Sequence, residues 1–242
     1  MSGHSHARTI MHDKGIADAK RGMAFSKFAR MISIAAKKGK DPLINSELRT
    51  AIEKAREINM PTENIERAIK RGTGELESVK LEEVIFEAYG PGNVAIIIEG
   101  ITDNKNRTLN EIKKILGQSD GKLAVAGSVQ WLFERKGVIT ISITANQEKS
   151  TKENLELKAI ENGAEDISWN NDFLNVFTKT DNLEKVKKAL EDQGIKIEST
   201  SLDWTPKDLI NVDEKNRTAC QKLFETLDEN EDIQEIYSNL PS

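Results

Sequence analysis

A single cysteine, Cys220, stands in the 242 residues of this chain, so no internal disulfide can form and no Cys/His set is available for zinc. Cys220, Leu223, Phe224 and Leu227 follow i, i+3, i+4, i+7 spacing, which reads as the buried stripe of a helix and makes the thiol an inert core residue. Histidine is confined to His4, His6 and His12, which leaves no imidazole elsewhere for acid–base work. No apolar run approaches the ~20 residues that span a bilayer. No apolar h-region follows the N-terminus either, so no secretory signal is read and the expected compartment is cytoplasmic, with no membrane partner. The sequons at Asn106 and Asn216 are chance matches in such a protein.

What the chain does have is a charge asymmetry. Residues 1–40 carry nine Lys or Arg against Asp13 and Asp18, a balance of +7. Residues 1–75 balance at +6 while the whole chain is −5, so residues 76–242 sum to −11. A basic head on an acidic body points to a head that meets polyanion while the body does something else.

Residues 1–15 show no sustained period and read as a basic, histidine-containing arm. A helix is predicted over about 16–38, with Phe25, Phe28, Ala29, Ile32, Ala35 and Ala36 as its apolar stripe. At ~100° per residue, Lys20, Lys27, Arg30, Lys37 and Lys38 fall together on the opposite side and form one positive face. Gly39 and Asp41-Pro42 end that helix. Two more short amphipathic helices follow, over about 46–58 and from Pro61 to Arg71-Gly72.

From about Leu81 the period changes to 2. Strands at 84–89 and 94–99 flank Gly90-Pro91-Gly92-Asn93 as a hairpin. A helix near 108–116, a Gly-rich loop and a strand at 128–134 come next. In that strand Val129, Trp131 and Phe133 share a face, which places Trp131 in the core. Residues 137–202 read as a βαββαβ unit of ferredoxin-like order, with strands at 137–143, 166–169, 173–178 and 194–199 and helices at 152–162 and 182–193. An RNA-recognition module shares this order, but the first strand lacks aromatics and no signature surrounds Phe173 and Phe177. A last helix (214–227) and strand (233–237) need a sheet to join, and the unfinished hairpin–helix–strand of 81–134 is the nearest partner. The expected architecture is therefore α+β: a three-helix N-terminal domain (1–78), a discontinuous α/β domain (79–135 plus 203–242) and a ferredoxin-like domain (136–202) inserted in it.

Several stretches resemble the YebC/PmpR family: Gly3-His4-Ser5, Asp18-Ala19-Lys20-Arg21-Gly22, Asp41-Pro42, Ala51-Ile52-Glu53-Lys54-Ala55, Asn59-Met60-Pro61, Asn64-Ile65-Glu66-Arg67-Ala68-Ile69 and Gly72-Thr73-Gly74. Beyond the head, Tyr89-Gly90-Pro91-Gly92, Thr102-Asp103-Asn104-Lys105-Asn106-Arg107-Thr108 and Gly127-Ser128-Val129 continue the likeness over almost the whole chain. The resemblance implies a helical N-terminal domain and two α/β domains around a cleft, a cytoplasmic probable transcriptional regulator that binds DNA, and no cofactor or catalytic residue. Mitochondrial relatives act as translational activators, and other members resemble ribosome-associated factors that help synthesis past proline-rich stretches. The chain departs from the family pattern at His6-Ala7, in place of Lys-Trp, and at Gly39-Lys40, in place of a doubled glycine.

Competing chemistries are weaker. An N-terminal Ser2-Gly3-His4 set, freed of Met1, suits Cu(II) or Ni(II) in solution, yet short motifs of this kind arise readily by chance. Gly117 to Lys122 fails as a phosphate loop, because three residues separate Gly117 from Gly121 and Leu123 replaces Ser/Thr. Asp103, Glu111 and Asp120 could line a cleft, but no motif positions them for catalysis. The expectation is a non-enzymatic nucleic-acid-binding regulator of gene expression, without metal or cofactor, its oligomeric state not readable from the sequence and a monomer favoured. Its phosphate contacts would come from His4, Arg8, Lys14, Lys20, Arg21, Lys27, Arg30, Lys37 and Lys38. The alternative is a ribosome- or rRNA-associated translation factor. No helix-turn-helix, zinc finger or basic zipper is readable, so only backbone contacts are expected.

Overall fold

A computed structural model describes residues 18–77, 79–146 and 151–241. The described residues form two compact units, one built from residues 18–129 with 212–236, the other from 130–211 with 237–241.

The first unit begins with three helices, α1 (Asp18–Ala36), α2 (Ser46–Glu57) and α3 (Thr62–Gly72). Phe28, Ile32, Ala35 and Ala36 of α1 close with Leu48, Ala51, Ile52 and Ala55 of α2, Met60, and Ile65 and Ala68 of α3 into one core. The helices cross tightly. A Cβ on Gly72 would collide with the Ser33 carbonyl and the Ala36 side chain, so this position in the crossing takes only glycine. Asn45 caps α2 by accepting from Leu48 N–H, and its amide donates to the Ala35 and Gly39 carbonyls, both at 2.8 Å, so one side chain closes α1 and opens α2.

The sheet of this unit has the order β3-β1-β2-β8, with β1 (Glu82–Tyr89), β2 (Ala95–Thr102), β3 (Lys122–Leu123) and β8 (Ile233–Ser238). The hairpin turn predicted at residues 90–93 is present, with Gly92 and Asn93 at positive φ of 68° and 59° as the two reversing residues. Ile96, Ile97 and Ile98 are fully buried in succession, so β2 is covered on both faces. Helix α4 (Lys105–Gln118) is capped by Asn104, whose side chain accepts from Arg107 N–H. The helix carrying Cys220 (Glu214–Asp228, α7 once the second unit's helices are numbered) buries Cys220, Leu223, Phe224 and Leu227, the stripe expected from their spacing.

In the second unit β4 (Phe133–Ser142), β5 (Asp166–Asn170), β6 (Phe173–Lys179) and β7 (Ser199–Pro206) pair antiparallel in the order β5-β6-β4-β7. Together with α5 (Lys152–Glu161) and α6 (Leu183–Asp192), that is the ferredoxin-like arrangement the element order implied. Ile139, Ile141, Leu174 and Val176 on one sheet face meet Leu155, Ala159, Val186 and Leu190 of the helices.

Two sequence expectations give way. The strand expected at 128–134 is absent: Gln130–Leu132 is a single tight 3-10 turn, and β4 starts only at Phe133. The turn breaks the two-residue alternation, so Val129 and Phe133 are buried while Trp131, expected in the core, is 64% exposed. The strand expected at 194–199 lies instead at Ser199–Pro206. Ile195 and Ile197 do pack on the helix-side core, which produced the apolar alternation, but ladder pairing with β4 runs from Ser199 to Pro206, beyond those two residues.

Candidate nucleic-acid interface

His4, Arg8 and Lys14 lie outside the described residues, and of Lys20 only the backbone belongs to them, in the first turn of α1. Of the remaining members of the predicted basic face, Lys27 and Arg30 lie within α1 and Lys37 and Lys38 directly after its last residue, and they meet different surroundings.

In the middle of the helix the face is turned inward. The Lys27 side chain is 8% exposed, and its ammonium sits 2.6 Å from Asp228 Oδ1 while donating to the Asp228 carbonyl at 2.7 Å. Asp228 is the last residue of α7, so Lys27 satisfies a terminal carbonyl and neutralises the negative end of that helix at once. One turn on, Arg30 Nη1 lies 3.0 Å from Asp232 Oδ1 and within 3.5 Å of the Ile101 carbonyl, with Nη2 3.8 Å from Glu231. The sequence placed Lys27 and Arg30 on an open, phosphate-facing surface. The structure corrects this: both are committed to carboxylates around 200 residues further along the chain.

Asp232 is the centre of that arrangement. Its carboxylate is 4% exposed. Oδ1 takes Arg30, while Oδ2 accepts from Arg107 Nη2 at 2.8 Å, Thr102 Oγ1 at 3.0 Å and Thr108 Oγ1 at 2.6 Å. Burial pushes its pKa up, but the hydroxyl of Thr108, the Arg107 guanidinium, the charge of Arg30 and the hydroxyl of Thr102 together outweigh it and hold the group below the ordinary carboxylate value. The Arg107 guanidinium, hydrogen-bonded to Asp232 and also to Asp103, is held above its own usual value. The approach is close enough that a Cβ on Gly100 would meet the Asp232 carbonyl at 2.6 Å. Asp232 and its socket escaped sequence reasoning. The available signal was the spacing Thr102, Arg107, Thr108 around the α4 N-cap, which gathers two hydroxyls and a guanidinium at one helix start.

At the end of the helix the face opens to solvent. Lys37 and Lys38 follow the last residue of α1 and are exposed, with Lys40 beyond them. Lys37 donates to the Leu81 carbonyl. Lys38 pairs with Glu47 at 2.6 Å and Lys40 with Glu75 at 3.1 Å, all four side chains well exposed. Hydrogen bonding to Glu47 raises the Lys38 pKa, so the ammonium stays charged at any physiological pH. Exposed pairs of this kind contribute ~0–1 kcal/mol and exchange partners easily. Arg21, at the other end of α1, is also exposed. From Arg21 to Lys37 the helix rise is roughly 24 Å.

The other candidate chemistries find no support in local geometry. Gly117 belongs to the last turn of α4, and Asp120 at positive φ leads into β3. A phosphate loop needs the start of a helix, and this is the end of one. Asp103 and Glu111 both face Arg107, at 2.7 and 3.9 Å. Cys220 is fully buried, and burial pushes its thiol up to about 11, so it is no thiolate near neutral pH. Among the described residues no group of His, Cys, Asp or Glu has the makings of a metal site, and no helix is long and apolar enough to cross a membrane.

Residues 5–75 match the family model described as the TACO1/YebC protein N-terminal domain, and residues 81–240 match that of the TACO1/YebC second and third domain. The chain belongs to the TACO1/YebC family. It is 48% identical over 242 residues to a protein of Persephonella marina named "Probable transcriptional regulatory protein", covering 99% of this chain and 95% of the relative. A relative of the same name in Halothermothrix orenii is 44% identical over 241 residues, with 99% and 94% covered. The crystal structure of a conserved hypothetical protein from Aquifex aeolicus superposes with a TM-score of 0.85 at 41% identity, covering 96% of this chain and 95% of that one. In TACO1/YebC terms, the Lys27–Asp228 and Arg30–Asp232 pairs tie the N-terminal-domain match to the part matched as second and third domain.

Proposed function

We propose that this chain is a non-enzymatic regulator of gene expression that binds nucleic acid through its N-terminal basic segment, as a soluble cytoplasmic protein. The observation that carries the reading is the +7 balance of residues 1–40, of which Arg21, Lys37, Lys38 and Lys40 are exposed. Relatives that match over nearly the whole chain are named probable transcriptional regulatory proteins, which favours the same reading. His4, Arg8, Lys14 and Lys20 belong to the proposed contact surface by charge and position in the sequence. Lys27 and Arg30 serve it from behind, holding α1 against the acidic part of the chain. Residues 1–78 would then act as the binding module, with 79–135 plus 203–242 and the inserted 136–202 as the body.

The surface offers ammonium and guanidinium groups on a helix and the loop after it, with no motif for reading base edges. Binding is therefore expected to be phosphate-driven, with log K falling by about 0.9 per contact against log salt on duplex DNA. The same property favours a second reading, a factor that binds ribosomal RNA and acts on translation, because the −11 body would be repelled from wrapping further nucleic acid and can face protein. Titrating the full chain against duplex DNA and a structured RNA at several salt concentrations tests the common claim. Absence of binding to either at low salt overturns it. Crosslinking in cells, followed by sequencing of the bound nucleic acid, separates promoter DNA from ribosomal RNA.

A further inference from the structure

The loop between α1 and α2 presents two neighbouring aliphatic side chains to solvent, Leu43 at 84% and Ile44 at 87% exposure, the highest values for large apolar residues among those described. The loop that carries them is firmly built. Asp41 Oδ1 accepts from Leu43 N–H at 2.9 Å, and the Asp41 carbonyl accepts from Ile44 N–H at 3.1 Å and Asn45 N–H at 2.9 Å. The Asn45 amide ties the loop to the Ala35 and Gly39 carbonyls, and Arg49 Nη1 donates to the Pro42 carbonyl at 3.1 Å. The side chains are therefore presented by a backbone already fixed in place, so little further order is needed for them to enter a partner.

Their surroundings decide what that partner is. Residues 37–49 hold Lys37, Lys38, Lys40 and Arg49 against Asp41 and Glu47, and Glu75 approaches from further along the chain to pair with Lys40. The Asp41 carboxylate is turned onto a backbone N–H, and Glu47 is engaged by Lys38 in an exposed pair. An apolar protein surface docking here would have to strip water from the exposed ammonium groups of Lys38 and Lys40, which line the same depression as Ile44. A stacked base step has the opposite character: an apolar interior bordered by two rows of phosphates, and aliphatic side chains are known to wedge into such steps and kink them. We propose that Leu43 and Ile44 are a wedge that enters a base step of double-helical nucleic acid, while Lys37, Lys38, Lys40 and Arg49 take the phosphates on either side. This rests on the nucleic-acid reading above and adds to it a mode of contact and a preference for easily unstacked pyrimidine–purine steps.

The test uses the full chain and a Leu43→Ser/Ile44→Ser variant. Both residues are solvent-exposed, so the melting temperature is expected to be unchanged, and a Leu43→Met/Ile44→Met variant serves as the conservative control. Each protein is titrated at low salt against an end-labelled DNA duplex, and against an RNA hairpin stem, with 2-aminopurine beside a central pyrimidine–purine step. Label anisotropy reports binding and 2-aminopurine fluorescence reports unstacking. The wedge predicts that the unaltered chain and the Met variant raise the fluorescence, whereas the Ser variant binds about tenfold more weakly and loses the rise. The nucleic acid that shows this difference, DNA or RNA, is the one the loop enters. Binding without a rise by the unaltered chain, or an equal rise with the Ser variant, overturns the wedge and leaves phosphate-driven binding standing. No binding of the unaltered chain to either probe overturns the nucleic-acid reading and the wedge with it.

Discussion

Lys27 and Arg30 lie within α1 and Lys37 and Lys38 directly after its last residue, grouped on one face by the helical period, yet the two pairs do different work. The inner pair is held by Asp228 and Asp232 and is largely withdrawn from water. The outer pair, ~15 Å further along the chain direction of the helix, stands in solvent, Lys37 on the Leu81 carbonyl and Lys38 on Glu47. Identical residue types on one face thus divide by height rather than by angle. A cation whose carboxylate is buried is fixed, because moving it leaves an uncompensated charge at a cost of several kcal/mol. A cation whose carboxylate is exposed gives it up for about 1 kcal/mol or less. Only the second kind is available to a phosphate.

The sharpest way to break the contrast is to remove the buried carboxylate. Asp232→Ala takes from Arg30 and Arg107 the carboxylate they share and from the hydroxyls of Thr102 and Thr108 one acceptor each. We expect a loss of about 3–5 kcal/mol in urea unfolding. A loss below about 1 kcal/mol would show that the socket does not hold the molecule together. The carboxylate also sets a direction with pH. Its pKa is lowered on folding, so its contribution is complete above the unfolded-state value near 3.9 and is lost as pH falls through the lower folded value. Acid unfolding of the Asp232→Ala protein should accordingly show a shallower dependence below about pH 4 than that of the unaltered chain.

The complementary break reverses the outer set. Lys37→Glu, Lys38→Glu and Lys40→Glu together should weaken binding to duplex DNA or structured RNA about a hundredfold at low salt, since each removes a phosphate contact and adds a repulsion. Stability should change by no more than about 1 kcal/mol, because the pairs lost are exposed. Arg30→Ala should show the opposite profile: about 2 kcal/mol less stable by urea unfolding, with affinity nearly intact in folded protein. If Arg30→Ala instead abolishes affinity while leaving stability alone, the inner pair is a phosphate contact and the division drawn here fails.

How far this was legible in the sequence follows from the same residues. Periodicity set Phe28, Ile32, Ala35 and Ala36 on the apolar side of α1, where they are found, and grouped Lys27, Arg30, Lys37 and Lys38 opposite them. It could not say what faces the basic side, because the decisive partners, Asp228 and Asp232, lie about 200 residues away and arrive only when α7 and β8 close onto the first unit's sheet. Gly39 and Asp41-Pro42 announced the break after α1, so the helix end was readable. The fate of Leu43 and Ile44 was not, since two apolar residues in a loop look the same whether they fold back or point out. Trp131 fell to the same limit: alternation with Val129 and Phe133 means a shared face only if the backbone is extended, and Gln130–Leu132 turns. In the ferredoxin-like unit the strands with apolar alternation, β4 and β6, were found within a few residues. The edge strand β7, Ser-Thr-Ser-Leu-Asp-Trp-Thr-Pro, alternates only over Leu202, Trp204 and Pro206, with Leu202 exposed and Asp203 buried, because its place in the sheet comes from ladder hydrogen bonds to β4 rather than from burial of an apolar face.

The smallest effect is the most diagnostic of what the outer cations do. Lys38→Ala removes one ammonium and its exposed pair with Glu47. In unfolding, the change should stay within about 0.5 kcal/mol, since such a pair gains little Coulomb energy in water and holds two long side chains in place to do it. In binding, the signature is the slope of log K against log salt rather than the affinity at one salt. That slope should become shallower by about 0.9 on duplex DNA, the release of counterions from a single phosphate. The same substitution at the inner position, Lys27→Ala, should leave the slope unchanged while costing about 1–3 kcal/mol in stability, because Asp228 loses the only ammonium described against it. Equal slopes for the two variants would mean that height along α1 makes no difference to which lysines meet phosphate.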